Sequence, residues 1–395
     1  MKKRFLFATL MGYIEHKNAL VITGMRQVGK TTLLKQVYDK VSFPKLWFDF
    51  DNPLDMLHFE NIDYDAIYNN LLKKSSSKSE RLFVFIDEIQ NLPEITKIIK
   101  YLIDKYKVKF LVTGSSNYYL KNLFPESLSG RKFLFILPPM SFKEYLFFND
   151  NAEEEADFRE GNIEKVLREY SLLEFKKYEQ EYAEYLEYGG FPEVVTTADF
   201  NIKKDVLRNI FTSFFEKDIR LLTDIKDIRE LRDLILLLVP RTGNMLEITK
   251  LSSELGINRV KLYNYLEFLQ GLFFIKLIPK FSASIDRSIA GGKKIFFADN
   301  GLLNAIGRVN DGQLLENSTA NQLSLYGELS FYNKRNTAEI DFILDKKIAF
   351  EVKSKAVEKD LSKLENICSR IGIEKSYLVS LNYTTAGRTI YPMFL

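Results

Sequence analysis

Apolar and polar positions along the chain fall into two rhythms. Between residues 19 and 137, runs of about five apolar residues recur, each bounded by turn-forming or charged residues. Such runs are too short for helices and lack alternation, which predicts strands buried on both faces of a parallel sheet. The runs are Ala19–Thr23 (ALVIT), Leu46–Phe50, Leu82–Ile86 (LFVFI), Lys109–Thr113 (KFLVT) and Lys132–Leu137. Thr32–Lys40 reads as a helix after the first of them, and the polar stretch Lys73–Glu80 (KKSSSKSE) as a surface loop. Beyond residue 150 the rhythm becomes helical. Residues 151–187 are rich in Tyr and Glu without alternation, and Val206, Ile210, Phe214 and Phe215 recur at helical spacing. Ile248–Leu255 and Arg259–Leu269 predict two helices joined by the turn Gly256-Ile257-Asn258. The apolar set of the second is Val260, Leu262, Tyr263, Leu266 and Leu269. Leu272–Ile278 and Ile295–Ala298 are expected to follow as two strands, joined through Gly291-Gly292-Lys293-Lys294. Near the end, Gln313–Ser330 reads as a helix carrying Glu316 and Glu328, while Glu339–Leu344 (EIDFIL) and Ala349–Lys353 (AFEVK) alternate as a hairpin turned at Asp345-Lys346-Lys347. The expected division is 1–150, 151–240, 241–311 and 312–395.

Composition narrows the classes. With 395 residues the chain can bury sizeable cores, and 46% hydrophobic and 28% charged residues are ordinary for a globular protein. Cys368 is the only cysteine, so no disulfide forms within the chain, and one Cys with two His excludes a conventional structural zinc site. Carboxylates holding a hard cation stay open. A net charge of +3 is near balance, so only local patches could attract nucleic acid. The 32 Phe and 21 Tyr are expected in the core. No apolar run reaches the length of a membrane span. Met1-Lys2-Lys3-Arg4 followed by Phe5–Tyr13 imitates a signal peptide, but no small-residue cleavage site follows. A cytoplasmic protein with no membrane partner is expected.

The strongest chemistry lies after the first strand. Gly24-Met25-Arg26-Gln27-Val28-Gly29-Lys30-Thr31 is GxxxxGKT between a strand and a helix. Its glycines allow backbone N–H groups to wrap an anion, and the helix start adds a positive field. Gly24, Val28 and Gly29 shape the loop and Thr32 continues it into the helix. Lys30 is expected to reach the β- and γ-phosphates of ATP, and Thr31 to offer a hydroxyl to Mg2+. The strand Leu82–Ile86 ends in Asp87-Glu88, 57 residues after Lys30. Asp87 suits the Mg2+ shell and Glu88 the general base for the attacking water. After Lys109–Thr113, Ser116 and Asn117, with Ser115 close behind, are candidates to sense the γ-phosphate or position water. Arg131, ahead of the fifth strand, could neutralise transition-state charge in its own site or a neighbour's.

Together, ITGMRQVGKTTLL (22–34), FVFIDEIQ (83–90), VTGSSN (112–117), LSGR (128–131), LPPMSFKEYL (137–146), Gly189-Gly190-Phe191-Pro192 and Ala298-Asp299-Asn300-Gly301-Leu302 resemble one family. It is the AAA-type ATPases of bacteria and archaea that pair an N-terminal P-loop domain with a C-terminal DUF4143 domain. The resemblance implies a three-layer α/β sandwich with strand order 5-1-4-3-2, and adds Arg26 and Gln27, beside the loop's own Met25, as residues near the nucleotide.

The remainder resembles two further folds. The paired helices and strands at 248–298 are similar to a winged helix, with Arg259 and Lys261 as candidate phosphate contacts and Glu267 against them. Asp341 followed by Glu351-x-Lys353 resembles the restriction-endonuclease-like PD-(D/E)xK fold, with Ile340 where the family often has proline. That resemblance implies a second divalent cation, Mg2+ or Mn2+, held by Asp341 and Glu351 with Glu316 added. Lys353 would stabilise charge or orient water. The leading reading is ATP binding and hydrolysis coupled to movement of these domains, with DNA and a homo-oligomer or protein as candidate partners. An ATP-dependent nuclease and a nucleotide-gated switch that cuts nothing stay open as alternatives.

Overall fold

The computed structural model describes residues 2–75, 81–114, 130–150, 163–218, 225–282, 291–334 and 337–395. By its contacts the chain divides into two compact units, Met1–Pro138 with Gly271–Phe273, and Pro139–Gln270 with Phe274–Leu395. These contacts divide the chain after Pro138, and apart from Gly271–Phe273 the residues from 151 onward share one unit.

The first unit is built on a five-stranded parallel sheet of β1 (Ala19–Thr23), β2 (Lys45–Asp49), β3 (Phe83–Asp87), β4 (Lys109–Gly114) and β5 (Lys132–Ile136). The order is β2-β3-β4-β1-β5, the expected 5-1-4-3-2 read from the other edge. Every residue of β1, β3 and β4 is buried, as unbroken apolar runs require; β2 and β5, at the edges, are half-covered. Parallel neighbours need crossovers, and the helices Lys30–Lys40, Tyr64–Ser75 and Ile95–Tyr106 supply them. Ile95, Ile98, Ile99, Leu102 and Ile103 form one apolar stripe on the last and join the core with Val84, Ile86 and Phe110. The N-terminal residues are folded onto the first unit. They run into the helix Leu6–Gly12, whose Phe7 and Leu10 are buried.

In the second unit, the helices Leu172–Tyr188 and Phe200–Ser213 start at capping residues Ser171 and Asp199. Two motifs of the family resemblance meet behind them. Asp299, buried, accepts hydrogen bonds from the backbone N–H of Gly190 at 2.7 Å and of Leu302 at 2.9 Å. Gly189 has φ 72° and lies so close to Asp299 that a Cβ would sit 2.2 Å from its carboxylate. GGFP and ADNGL are therefore two halves of a structural clasp.

The helices Ile248–Leu255 and Arg259–Gly271 follow, with Gly256 at φ 65° ending the first. β6 (Ile275–Pro279) and β7 (Lys293–Phe297) pair antiparallel. Val260 and Tyr263 do not belong to the apolar face expected for the second helix: they are 70% and 57% exposed, while Leu262, Tyr265, Leu266, Phe268 and Leu269 face inward.

The C-terminal segment runs helix Asp311–Leu323, β8 (Leu329–Lys334), β9 (Ala338–Leu344), β10 (Ile348–Lys353), helix Glu358–Ile371, β11 (Lys375–Ser380) and β12 (Thr389–Ile390). These strands form one sheet in the order β12-β11-β10-β9-β8. The helix expected to reach Ser330 stops at Leu323, so Glu328 lies beyond it, just ahead of β8. Ile278 and Phe296 of the two-stranded sheet join Leu315, Phe331, Phe342 and Phe350 in a single core. The expected boundary at 311 is therefore not a packing boundary.

Candidate functional site

β1 delivers Gly24 to the C-terminal edge of the first sheet, the edge where open α/β sheets bind ligands. The loop there is shaped by its backbone. Gly24 takes φ 149°, Gln27 φ 62° and Gly29 φ 94°. A Cβ on Gly24 would sit 2.2 Å from the carbonyl oxygen of Leu137, so only glycine fits. Gly29 caps the helix Lys30–Lys40, and its carbonyl accepts from Leu33. Lys30 is buried and folds back over the loop, donating to the carbonyls of Gly24 at 3.0 Å and Met25 at 2.8 Å. An ammonium held by neutral carbonyls in an N–H-lined turn offers its charge to an arriving anion. Thr31 follows in the first helical turn.

Arg4 is a member of this site that the sequence did not reveal. Its guanidinium is buried and donates to the carbonyls of Val28 and Pro138, both at 2.8 Å. It holds the phosphate loop from behind. Local sequence gives no sign of this, because the partners are 24 and 134 residues away.

β3 carries Asp87 to the same edge, next to β4. The Thr113 hydroxyl donates to Asp87 Oδ1 and accepts from the Glu88 N–H at 3.1 Å, so Thr113 orients the pair. It sits inside the VTGSSN signature, two residues before the polar side chains singled out from sequence. Those residues, Ser115, Ser116 and Asn117, lie outside the described residues. Glu88 occupies the left-handed region at φ 54°, and Gln90 Nε2 donates to its Oε2. A non-glycine residue held there costs on the order of 1 kcal/mol or more and marks an imposed geometry. Thr31 and Asp87 together offer a hydroxyl and a carboxylate, oxygen donors that suit Mg2+.

Arg131 is elsewhere. The Ala19 N–H donates to its carbonyl, and Lys132 pairs with Ala19 while Ile136 pairs with Thr23. Arg131 therefore stands at the N-terminal edge of the sheet, about a strand length, roughly 15 Å, from Gly24. Its guanidinium pairs with Asp104 at 2.7 Å. Action in its own chain's phosphate site, one of the two roles expected, does not fit this position.

A second cluster lies in the C-terminal sheet. Asp345 and Lys346 take φ 47° and 60° and make the tight hairpin turn. β9 and β10 pair only from Ile348–Leu344 to Phe350–Phe342, then part. In the gap Asp341 Oδ2 accepts from the Val352 N–H at 2.9 Å. Glu351 is buried. Its Oε1 meets Lys353 Nζ at 2.7 Å, while Oε2 has no hydrogen-bond partner among the described residues. Glu316, from the helix Asp311–Leu323, lies over Gly243, where a Cβ would be 2.7 Å from its Oε2. Burial, then the charge of Asp341, pushes the carboxyls of Glu316 and Glu351 up to about 8 and about 7. Lys294, from β7, also enters, 2.9 Å from Glu339 and 3.6 Å from Asp341. Sequence reading had left it in a connecting turn. Among the described residues no three Asp, Glu, His or Cys side chains form a ready-made metal cage. The carboxylate oxygens and the unpartnered Glu351 Oε2 nonetheless suit a hard cation.

On the helix Arg259–Gly271, Lys261 pairs with Asp227 at 2.6 Å and Glu230 at 2.5 Å, while Arg259 is exposed and Glu267 lies on the same outer surface. Among the described residues no helix is long and apolar enough to cross a membrane.

A five-stranded parallel sheet of this order with GKT after β1 and Asp-Glu after β3 defines a P-loop nucleotide-binding fold. The AAA domain family matches residues 16–146, a domain of unknown function (DUF8612) matches 179–313, and the domain of unknown function DUF4143 matches 311–393. An uncharacterized protein of Haemophilus influenzae is 30% identical over 361 residues, covering 86% of this chain and 84% of that one. One of Methanocaldococcus jannaschii is 28% identical over 389 residues, covering 93% and 82%. Among solved structures, the Walker-type ATPase of Pyrococcus abyssi matches at 17% identity and TM-score 0.48, over 76% of this chain and 94% of that one. The chain belongs to the family of AAA-type ATPases that join an N-terminal P-loop domain to a C-terminal DUF4143 domain. ATP is accordingly the ligand of the first site.

Proposed function

We propose that the chain is an Mg2+-dependent ATPase whose turnover alters the arrangement of its second unit. Lys30 binds the β- and γ-phosphates, Thr31 and Asp87 supply oxygen ligands to Mg2+, and Glu88 takes the proton of the attacking water. Arg131 acts on a neighbouring copy, which makes a homo-oligomer the working form. The observation that carries this reading is the Lys30 ammonium folded across a glycine-shaped turn, with Asp87 and Glu88 fixed by Thr113 on a nearby strand of the same edge. Lys30→Ala should weaken ATP binding by about a hundredfold, the worth of hydrogen bonds to a charged group. Glu88→Gln should keep binding and lose turnover by about 10²–10⁴-fold. Titration calorimetry and phosphate release check both; unchanged affinity in the first variant, or normal turnover in the second, defeats the assignment.

A second reading, an ATP-dependent nuclease, is favoured by the C-terminal segment. A helix, three antiparallel strands, a helix and a parallel strand carry Glu316, Asp341, Glu351 and Lys353, and this order of elements supports reading the segment as restriction-endonuclease-like. The carboxylates hold a Mg2+ or Mn2+ ion, which supplies Lewis-acid stabilisation when bound, and Lys353 orients water. DNA is the partner in this reading. The winged-helix reading of residues 248–297 adds less to DNA binding, since Lys261 is already neutralised by two carboxylates. Incubation with DNA, ATP and Mn2+ should give cleavage that Asp341→Asn abolishes. No cleavage, together with ATP turnover indifferent to DNA, would leave the nucleotide-gated protein switch.

A further inference from the structure

The carboxylate cluster contains one more cation than its motif needs. Lys294 belongs to β7 of the two-stranded sheet, outside the C-terminal sheet that supplies Asp341, Glu351 and Lys353. Its side chain is 6% exposed. Nζ lies 2.9 Å from Glu339 Oε1 and 3.6 Å from Asp341 Oδ1. Burial works to lower the ammonium, but the charges of Asp341, Glu316 and Glu339 outweigh it, so Lys294 is held above the usual lysine range. A lysine this buried stays charged only where anions compensate the lost water.

Glu316, Glu339 and Asp341 act on Lys294, and Glu351 and Asp341 on Lys353, so carboxyls outnumber ammoniums in this cluster. Lys353 is engaged with Glu351 Oε1, leaving Oε2 open. Asp341 has one oxygen on the Val352 N–H and the other facing Lys294. The oxygen that a cation would take from Asp341 is thus the one the Lys294 ammonium approaches.

We propose that Lys294 is the resident counter-cation of this cluster: its ammonium and a divalent cation compete for Asp341 Oδ1, so that loading the site releases the Lys294 side chain from Asp341. This rests on the reading of Glu316, Asp341 and Glu351 as a cation site. Lys294 is a positioning residue here, with no part in bond breaking.

Mn2+ binding to the nucleotide-free full chain, followed by the electron paramagnetic resonance of free Mn2+, tests this without any activity readout. Asp341→Asn identifies the Mn2+ bound at this cluster against any bound at the P-loop. Lys294→Met, which keeps the stem and removes the charge, should tighten the Asp341-dependent binding by about tenfold or more, since the cation 3.6 Å from Asp341 Oδ1 is gone. Lys294→Arg, which keeps the charge, should not tighten it. If Asp341→Asn lowers Mn2+ binding but Lys294→Met leaves it unchanged or weaker, Lys294 is not a competitor while the cation site stands. If Asp341→Asn changes nothing, the cation site itself falls, and this proposal with it. Should Lys294→Met lose its cooperative melt, added Mn2+ must restore it, one cation replacing the other; a variant that stays unfolded at saturating Mn2+ overturns the proposal.

Discussion

Arg4 shows how a single side chain can govern a site that carries none of its motif. The loop 24–31 must present its N–H groups inward, so some of its carbonyls point away, into the protein. The carbonyl of Val28 is met there by the Arg4 guanidinium, which also ties down Pro138. Arg4→Met keeps an apolar stem but leaves the buried Val28 carbonyl and the half-buried Pro138 carbonyl short of a donor, at a cost of about 1–3 kcal/mol for the buried one before relaxation. Arg4→Met should therefore lower the thermal midpoint and weaken ATP binding together. A variant with wild-type melting and wild-type affinity would show that the loop holds its own shape. The functional residues that sequence reading missed share one cause. Arg4 sits in a basic run that imitates the start of a signal peptide, and Lys294 in a Gly-Gly-Lys-Lys turn. Their partners lie far along the chain, Asp341 being 47 residues beyond Lys294, and a charge has no periodicity to betray burial. Lys30, Asp87 and Glu88 were legible because their spacing and strand context are themselves the signal.

At the scale of elements, the clasp around Asp299 yields a pH prediction. Burial pushes the Asp299 carboxyl up to about 6, against the backbone N–H groups of Gly190, Leu302 and Gly301, which pull it down. In the unfolded chain the same group titrates near 3.8. The folded protein therefore holds this proton more tightly. The stability it confers is complete below about pH 4 and is lost as pH rises through about 6. Asp299→Asn resembles the protonated form and cannot titrate. Between pH 4 and 7 the wild type should lose about 2–3 kcal/mol relative to the variant, read from urea midpoints at each pH. Parallel curves would mean the N–H groups win. The strands on either side of this clasp differ in how readily they were read. β1, β3 and β4 announce themselves as apolar runs, and the β9–β10 hairpin by alternation around a polar turn. The helix expected over Gln313–Ser330 overlaps β8 only at Leu329 and Ser330, because the helix ends at Leu323 and the chain turns before the strand. β12 has only two residues and forms by pairing with β11, which no local pattern encodes. Val260 and Tyr263 were placed inward on periodicity, yet that helix buries a different stripe.

For the molecule as a whole, the proposed action of Arg131 on a neighbouring copy makes more than one copy necessary for turnover. A parallel sheet binds nucleotide at the C-terminal edge of its strands, and Arg131 is at the other edge, paired with exposed Asp104. An exposed ion pair of this kind contributes little to folding, so a phosphate offered by a second chain can draw the guanidinium away from it. One surface then supplies charge and the opposite one receives it, a head-to-tail relation that generates rings or filaments rather than two-fold dimers. Two observations follow if this is right. Specific ATPase activity should rise with protein concentration as copies associate. Arg131→Ala should lose turnover by about 10³-fold or more, with binding retained, because an arginine acting on the transition state adds little to ground-state affinity. The decisive experiment mixes two inactive chains. Lys30→Ala cannot hold ATP but can lend its Arg131; Arg131→Ala holds ATP but has nothing to lend. Mixed, they should recover a measurable part of wild-type phosphate release, while each alone stays silent. Failure to recover in a mixture shown by sedimentation to co-assemble would mean that no chain completes its neighbour's site.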